Sequence, residues 1–266
     1  MASTPFERTQ RVAVLGGGPG GYEAALAAAQ LGAEVTLVER VGVGGAAVLT
    51  DVVPSKSLIA TADAAVAISE ASDLGVQFYA KGEKGKPLKP EIAINLAAVN
   101  KRLMALAGQQ SEDMRATLLE AGVRILSGHG RLEGSDAIVV STGQGGTDFD
   151  RVEADTIVVA VGAAPRELDS AKPDGRRILT WTQLYDMKSL PEHLIVVGSG
   201  VTGAEFASAY MNLGAKVTLV SSRDQVLPGE DQDAARVLEK VFKRGGMTVL
   251  SKARADKVET TKDGVT

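Results

Sequence analysis

Two apolar runs, VAVL at 12–15 and LIVV at 194–197, each break into a glycine-rich turn, and each turn opens an alanine-rich stretch of helical length. A Leu-Gly pair stops both stretches, and a second apolar run, EVTLVE at 34–39 and KVTLVS at 216–221, comes after each stop. Short apolar runs bounded by glycine predict buried strands, and the longer stretches between them predict helices, so the pattern predicts βαβ twice. Between the two units, residues 57–74 and 92–121 carry apolar positions at helical spacing, with Gly122 as a stop. AKGEKGKPLKP at 80–90 predicts an exposed loop. Residues 123–165 alternate into short strands around GQGG, a hairpin signal, and 165–191 predicts a crossover in which Trp181 is a packing anchor.

The two units are copies of one another. Residues 12–39 align without a gap on 194–221, and about half of the positions are identical. Each copy carries G-x-G-x-x-G between its first strand and its helix, the context in which that motif marks a dinucleotide fold. Gly16 and Gly198 serve the turn, Gly18 and Gly200 admit a pyrophosphate, and Gly21 and Gly203 allow helix and strand to touch. Pro19 and Gly20 complete the first turn; Ser199, Val201 and Thr202 complete the second. Phosphates are expected at both helix N-termini, where unpaired N–H groups and the positive dipole end converge.

The copies differ where the second strand ends. Glu39, followed by Arg40, places a carboxylate where both hydroxyls of an adenosine ribose are bound. The equivalent position is Ser221, followed by Ser222 and Arg223, so no carboxylate stands at that position to repel a 2′-phosphate and one guanidinium is nearby to hold it. The first site is therefore expected to take an unphosphorylated ribose, and the second to accept NADPH while staying open to NADH. Together they suggest FAD and a nicotinamide cofactor on one protein.

Composition narrows the chemistry. The 266 residues contain no cysteine, which removes disulfides, thiolate metal sites and thiol nucleophiles, so redox chemistry must come from an organic cofactor. A net charge of −4 with mixed signs gives no field for nucleic acid. MASTPFERTQ lacks a signal-peptide core, and no run of 18 or more apolar residues is read as a membrane span, so the expected location is the cytoplasm. His129 and His193 are expected in surface or turn positions, no cluster has metal-ligand spacing, and Ser57 lacks a nucleophile elbow.

The chain resembles the pyridine nucleotide–disulfide oxidoreductases along its whole length. GGGPGGYEAA at 16–25 is similar to their FAD fingerprint, GGAAVLTDVVPSK at 44–56 to their flavin-facing segment, and SGHGRLEG at 127–134 to the turn beside the adenine. TIVVAVGAAPR at 156–166 is similar to the strand and turn that close the first FAD segment, and GSGVTGAEF at 198–206 to the NAD(P) fingerprint. The resemblance implies FAD contacts from Gly44, Gly45, Ala46, Gly130, Ala160, Val161 and Gly162. It implies that Lys56, near the flavin N5, pairs with Glu205 as the catalytic couple, and that Ala253 lies near the nicotinamide cofactor. Disulfide-reducing members carry a cysteine pair at the positions of Ala47 and Val52, so lipoamide and glutathione reduction by that route are not expected. The resemblance then points to the cysteine-poor NAD(P)H:quinone reductases, with a quinone-like molecule as acceptor. Transhydrogenation between pyridine nucleotides, and nucleotide binding without turnover, stay open beside it.

The expected architecture is α/β: two Rossmann-like domains of three-layer β/β/α type, FAD-binding over 1–165 and NAD(P)-binding over 166–266. The family continues into a second FAD segment and a C-terminal interface domain that makes a homodimer. Since Asp263 to Thr266 fall inside an expected hairpin, the chain is expected to be a truncated product lacking that domain.

Overall fold

The computed structural model describes residues 9–81, 85–142, 148–262 and 264–266. The GQGG of the expected hairpin and part of the expected 80–90 loop lie outside the described residues. Two compact units emerge: residues up to Pro54 with Met104–Ala164, and Ser55–Leu103 with Pro165–Thr266. Residues 55–103, placed before residue 165 by the sequence reading, thus group with the second unit.

In the first unit β1 (Arg11–Leu15), α1 (Pro19–Gln30) and β2 (Glu34–Glu39) make the βαβ unit read from the sequence. With β3 (Arg124–Ser127) and β7 (Thr156–Val159) they form a parallel sheet in the order β3-β2-β1-β7. β4 (His129–Glu133), β5 (Ala137–Ser141) and β6 (Phe149–Glu153) build a second, antiparallel sheet in the order β4-β5-β6.

Alternation along the strands sets the layers, because successive side chains point to opposite faces. Ala13, Leu15 and Val38 meet Ile138, Val140 and Val152 between the two sheets. Val14, Val35 and Leu37 meet Ala25 of α1 and Leu118 on the other face. Leu118 belongs to α4 (Leu96–Glu120), and each fully buried leucine of this kind contributes roughly 1.5–3 kcal/mol. The result is the expected β/β/α layering.

In the second unit β8 (His193–Val197), α5 (Val201–Asn212), β9 (Lys216–Val220), α6 (Gln232–Arg244) and β10 (Thr248–Leu250) give a parallel sheet in the order β10-β9-β8. Its core joins Val217 and Leu219 of β9, Ala207 and Tyr210 of α5 and Phe242 of α6. Leu58 and Ala62 join them from α3 (Val52–Ser69), as do Leu96 and Leu103 from α4, and Trp181 packs partly buried against the same core.

The segment at 44–56 is mostly helical. α2 (Gly45–Leu49) and α3 follow each other with a break at Thr50–Asp51, and α3 begins two residues before Pro54. Proline is tolerated in the first turn of a helix, where its missing N–H costs no bond, so the helix starts ahead of the expected 57–74 stretch. By length and composition Gly45–Ser69 is also apolar enough to cross a membrane, although Leu58 and Ala62 are fully buried in the protein core.

Candidate dinucleotide sites and the Lys56–Glu205 pair

Both fingerprints fold alike. Gly16 and Gly198 leave their strands at φ +103° and +112°, a region that side chains disfavour. A Cβ on Gly21 would overlap the carbonyl oxygen of Gly16, and one on Gly203 would overlap that of Gly198. Gly18 and Gly200 cap α1 and α5 in extended geometry, and neither helix has a side-chain cap. α6 differs, since the Asp231 carboxylate accepts from the N–H groups of Asp233 and Ala234, both at 3.0 Å. The opening turns of α1 and α5 thus keep backbone donors for an outside acceptor at Gly20, Val201 and Thr202, while Pro19 has no N–H to offer.

Around the first fingerprint the unit is tightly knit. The Glu39 carboxylate accepts from the N–H of Gly17 at 2.6 Å, of Val41 at 2.7 Å and of Gly42 at 3.3 Å. The Gly44 N–H donates to the Gly17 carbonyl at 2.7 Å, and a Cβ on Gly45 would stand 2.7 Å from the Gly18 Cα, so the Gly44–Gly45–Ala46 turn lies against the first glycine turn. Ala160 donates its N–H to Leu15 at 2.8 Å and abuts Gly16, with Val161 and Gly162 exposed beyond it.

Gly130 is in β4, where a Cβ would stand 2.5 Å from Leu15 Cδ1 and 3.0 Å from Val38 Cγ1, so its smallness lets the two sheets meet. A hollow of about 230 Å3 opens beside Glu39 and Arg40, lined also by Ser111, Glu112 and Arg115 of α4. The Ser111 hydroxyl donates to the Val43 carbonyl at 2.6 Å. Sequence reasoning missed Gly17, Ser111 and Arg115. The four-residue spacing of 111 and 115 on one helix face was the available signal, but nothing in the sequence tied that face to Glu39.

The second fingerprint replaces the carboxylate with hydroxyls. Ser199 and Ser221, both buried, are 2.7 Å apart through their hydroxyls. Ser222 and Arg223 are exposed, and Ala253 is drawn in by its N–H, which donates to the Ser221 carbonyl at 2.9 Å.

Within the second unit, Lys56 of α3 donates through Nζ to both carboxylate oxygens of Glu205 of α5, at 2.7 and 2.8 Å. The lysine side chain is 51% exposed and the glutamate 24%, so as a stabilising contact the pair contributes little, up to about 1 kcal/mol. Its value is positional: the ammonium is fixed in one place. Ala47 lies in α2 and Val52 opens α3. His129 is exposed in β4, and His193 shares a 2.8 Å hydrogen bond with the Thr218 hydroxyl. No His, Asp and Glu cluster suited to a metal is found among the described residues.

Two Rossmann-like units, each with a glycine fingerprint at an uncapped helix, define the dinucleotide-binding type of α/β fold, present twice. Residues 10–266 match the family Pyridine nucleotide-disulphide oxidoreductase, and the chain belongs to it. It is 47% identical over 264 residues to an NAD(P)H dehydrogenase (quinone) of Mycobacterium tuberculosis, covering 96% of this chain and 51% of that relative. It is 34% identical to a dihydrolipoyl dehydrogenase of Zymomonas mobilis, covering 95% of this chain and 52% of the relative. The crystal structure of LpdA from Mycobacterium tuberculosis superposes with a TM-score of 0.86 at 45% identity, over 97% of this chain and 54% of that one. The chain spans about half the length of the curated relatives it matches.

Proposed function

We propose that the chain binds FAD at its first fingerprint and NAD(P)H at its second, and acts as an NAD(P)H dehydrogenase that reduces a quinone or similar diffusible acceptor without an internal disulfide. The observation that carries this reading is the pair of uncapped fingerprints in a chain whose Ala47 and Val52 leave no thiol to relay electrons. The relative named NAD(P)H dehydrogenase (quinone) supports the choice of acceptor.

The residues fit the two groups. The free N–H groups opening α1 and α5 suit pyrophosphates, the Glu39 carboxylate suits a ribose diol, and the turn after β9 offers a 2′-phosphate the Arg223 cation, with Ser221 in place of a carboxylate at the strand's end and Asp224 following the arginine. When bound, FAD supplies two-electron exchange with a nicotinamide and with an external acceptor. The chain contributes position and charge. Glu205 holds the Lys56 ammonium through both oxygens, giving a fixed positive charge that orients the nicotinamide and balances charge as the transfer proceeds.

The test offers the purified chain, supplied with FAD, two alternative assays. NADPH consumption that depends on an added quinone, with no NADH formed from dihydrolipoamide, is the expected outcome. NADH formation from dihydrolipoamide would overturn the reading of Ala47 and Val52.

A further inference from the structure

The two copies solve the same junction in different ways. In the first, the Glu39 carboxylate ties the end of β2 to the phosphate loop by accepting the Gly17 N–H, and a Cβ at Gly17 would come within 3.1 Å of that carboxylate. In the second, the counterpart of Gly17 is Ser199 and the counterpart of Glu39 is Ser221, so both partners have changed together.

The replacement is a cluster of hydroxyls. Ser199 Oγ and Ser221 Oγ are hydrogen-bonded at 2.7 Å, and each also stands 3.4 Å from the Gln225 carbonyl. Ser221 Oγ also accepts the backbone N–H of Arg223 at 3.1 Å. A hydroxyl has one donor and two acceptor positions, so this oxygen is fully engaged. Ser199 is 4% exposed and Ser221 1%, which keeps water from competing for these bonds. Three further backbone bonds seal the junction: Leu227 N–H to the Ser199 carbonyl, Lys252 N–H to the Arg223 carbonyl, and Ala253 N–H to the Ser221 carbonyl, at 2.8–2.9 Å. Arg223 is therefore held at its own N–H and C=O while its side chain stays exposed.

We propose that Ser199 and Ser221 are a positioning pair for 2′-phosphate recognition: their buried hydroxyl cluster fixes the Arg223 backbone so that its guanidinium is presented in one orientation. The proposal rests on the reading that the second unit accepts NADPH. A guanidinium binds a phosphate best as a rigid fork, and slack in its backbone dissipates that geometry. The pair acts through Arg223 and needs no contact with the ligand.

The test is calorimetric binding of adenosine 2′,5′-bisphosphate and of 5′-AMP to the whole chain, which requires neither flavin nor turnover. In the parent protein the bisphosphate is expected to bind more tightly, and R223A should lower the ratio of the two affinities by roughly tenfold, the value of one good charge-assisted contact. S221A is expected to lower the same ratio by roughly threefold to tenfold, and in the R223A background to have no further effect on it. The double variant S199A/S221A, which removes both hydroxyls and leaves neither unpaired, should behave like S221A and guards against a local folding defect. If R223A leaves the ratio unchanged, the NADPH reading of this site is wrong. If R223A lowers the ratio but S221A and the double variant weaken both ligands equally, the hydroxyl pair is merely structural and the positioning proposal is overturned.

Discussion

Neighbouring glycines in the first fingerprint are under opposite constraints. A Cβ at Gly20 meets nothing within 4 Å, whereas one at Gly21 meets the Gly16 carbonyl and comes within 3.3 Å of Ala160 Cβ. Gly20→Ala should therefore stay within about 0.5 kcal/mol of the parent, while Gly21→Ala should cost about 1–3 kcal/mol or more by forcing α1 off the sheet. Urea unfolding of the two variants checks this, and equal midpoints would refute the close-approach account of the third fingerprint glycine. This much is legible from sequence, because the motif's spacing encodes the contact. Gly130 is different: Gly-His-Gly reads as a turn, and only the pairing of two sheets shows that its neighbours are Leu15 and Val38. The Ser199–Ser221 bond was equally hidden, since both residues were assigned to the cofactor while their hydroxyls face each other.

Among the helices, α5 combines the fingerprint with the core of its unit. Tyr210 is fully buried on it, with its hydroxyl 3.5 Å from the Leu184 carbonyl, and burial pushes the phenol up to about 12. The unfolded chain releases this proton near pH 10 and the folded chain near 12, so the folded state holds the extra proton between them. Stability contributed in this way is intact below about pH 10 and falls by an amount on the order of 2–3 kcal/mol as the pH climbs to about 12. Tyr210→Phe should flatten that alkaline fall in thermal or urea unfolding, and a variant with the parent's pH profile would assign the loss elsewhere. The strands and helices of both βαβ units were readable from periodicity. α2 and the start of α3 were not, because Gly-Gly and Thr-Asp are loop signals on their own, and the buried Leu58 and Ala62 that anchor this region act through tertiary packing.

At the scale of the whole molecule, one repeated unit underlies both halves, and the strands added after the first copy set the two apart. In the first unit Ala13, Leu15 and Val38 are sealed by β4–β6; in the second, the counterparts of Ala13 and Leu15, Ile195 and Val197, are 43% and 49% exposed. The repeat was visible in the sequence, while the three-stranded cover of one copy required the fold. In the proposed function, a chain without thiols uses its two fingerprints to pass electrons from NADPH to an external acceptor. The most direct test is the visible spectrum of the FAD-supplied chain, followed anaerobically through addition of NADPH and then of a quinone. A bound flavin spectrum that bleaches with NADPH and returns with the quinone is the expected result; a flavin spectrum that NADPH leaves unchanged, or a protein that stays colourless after exposure to FAD, would refute that electron route.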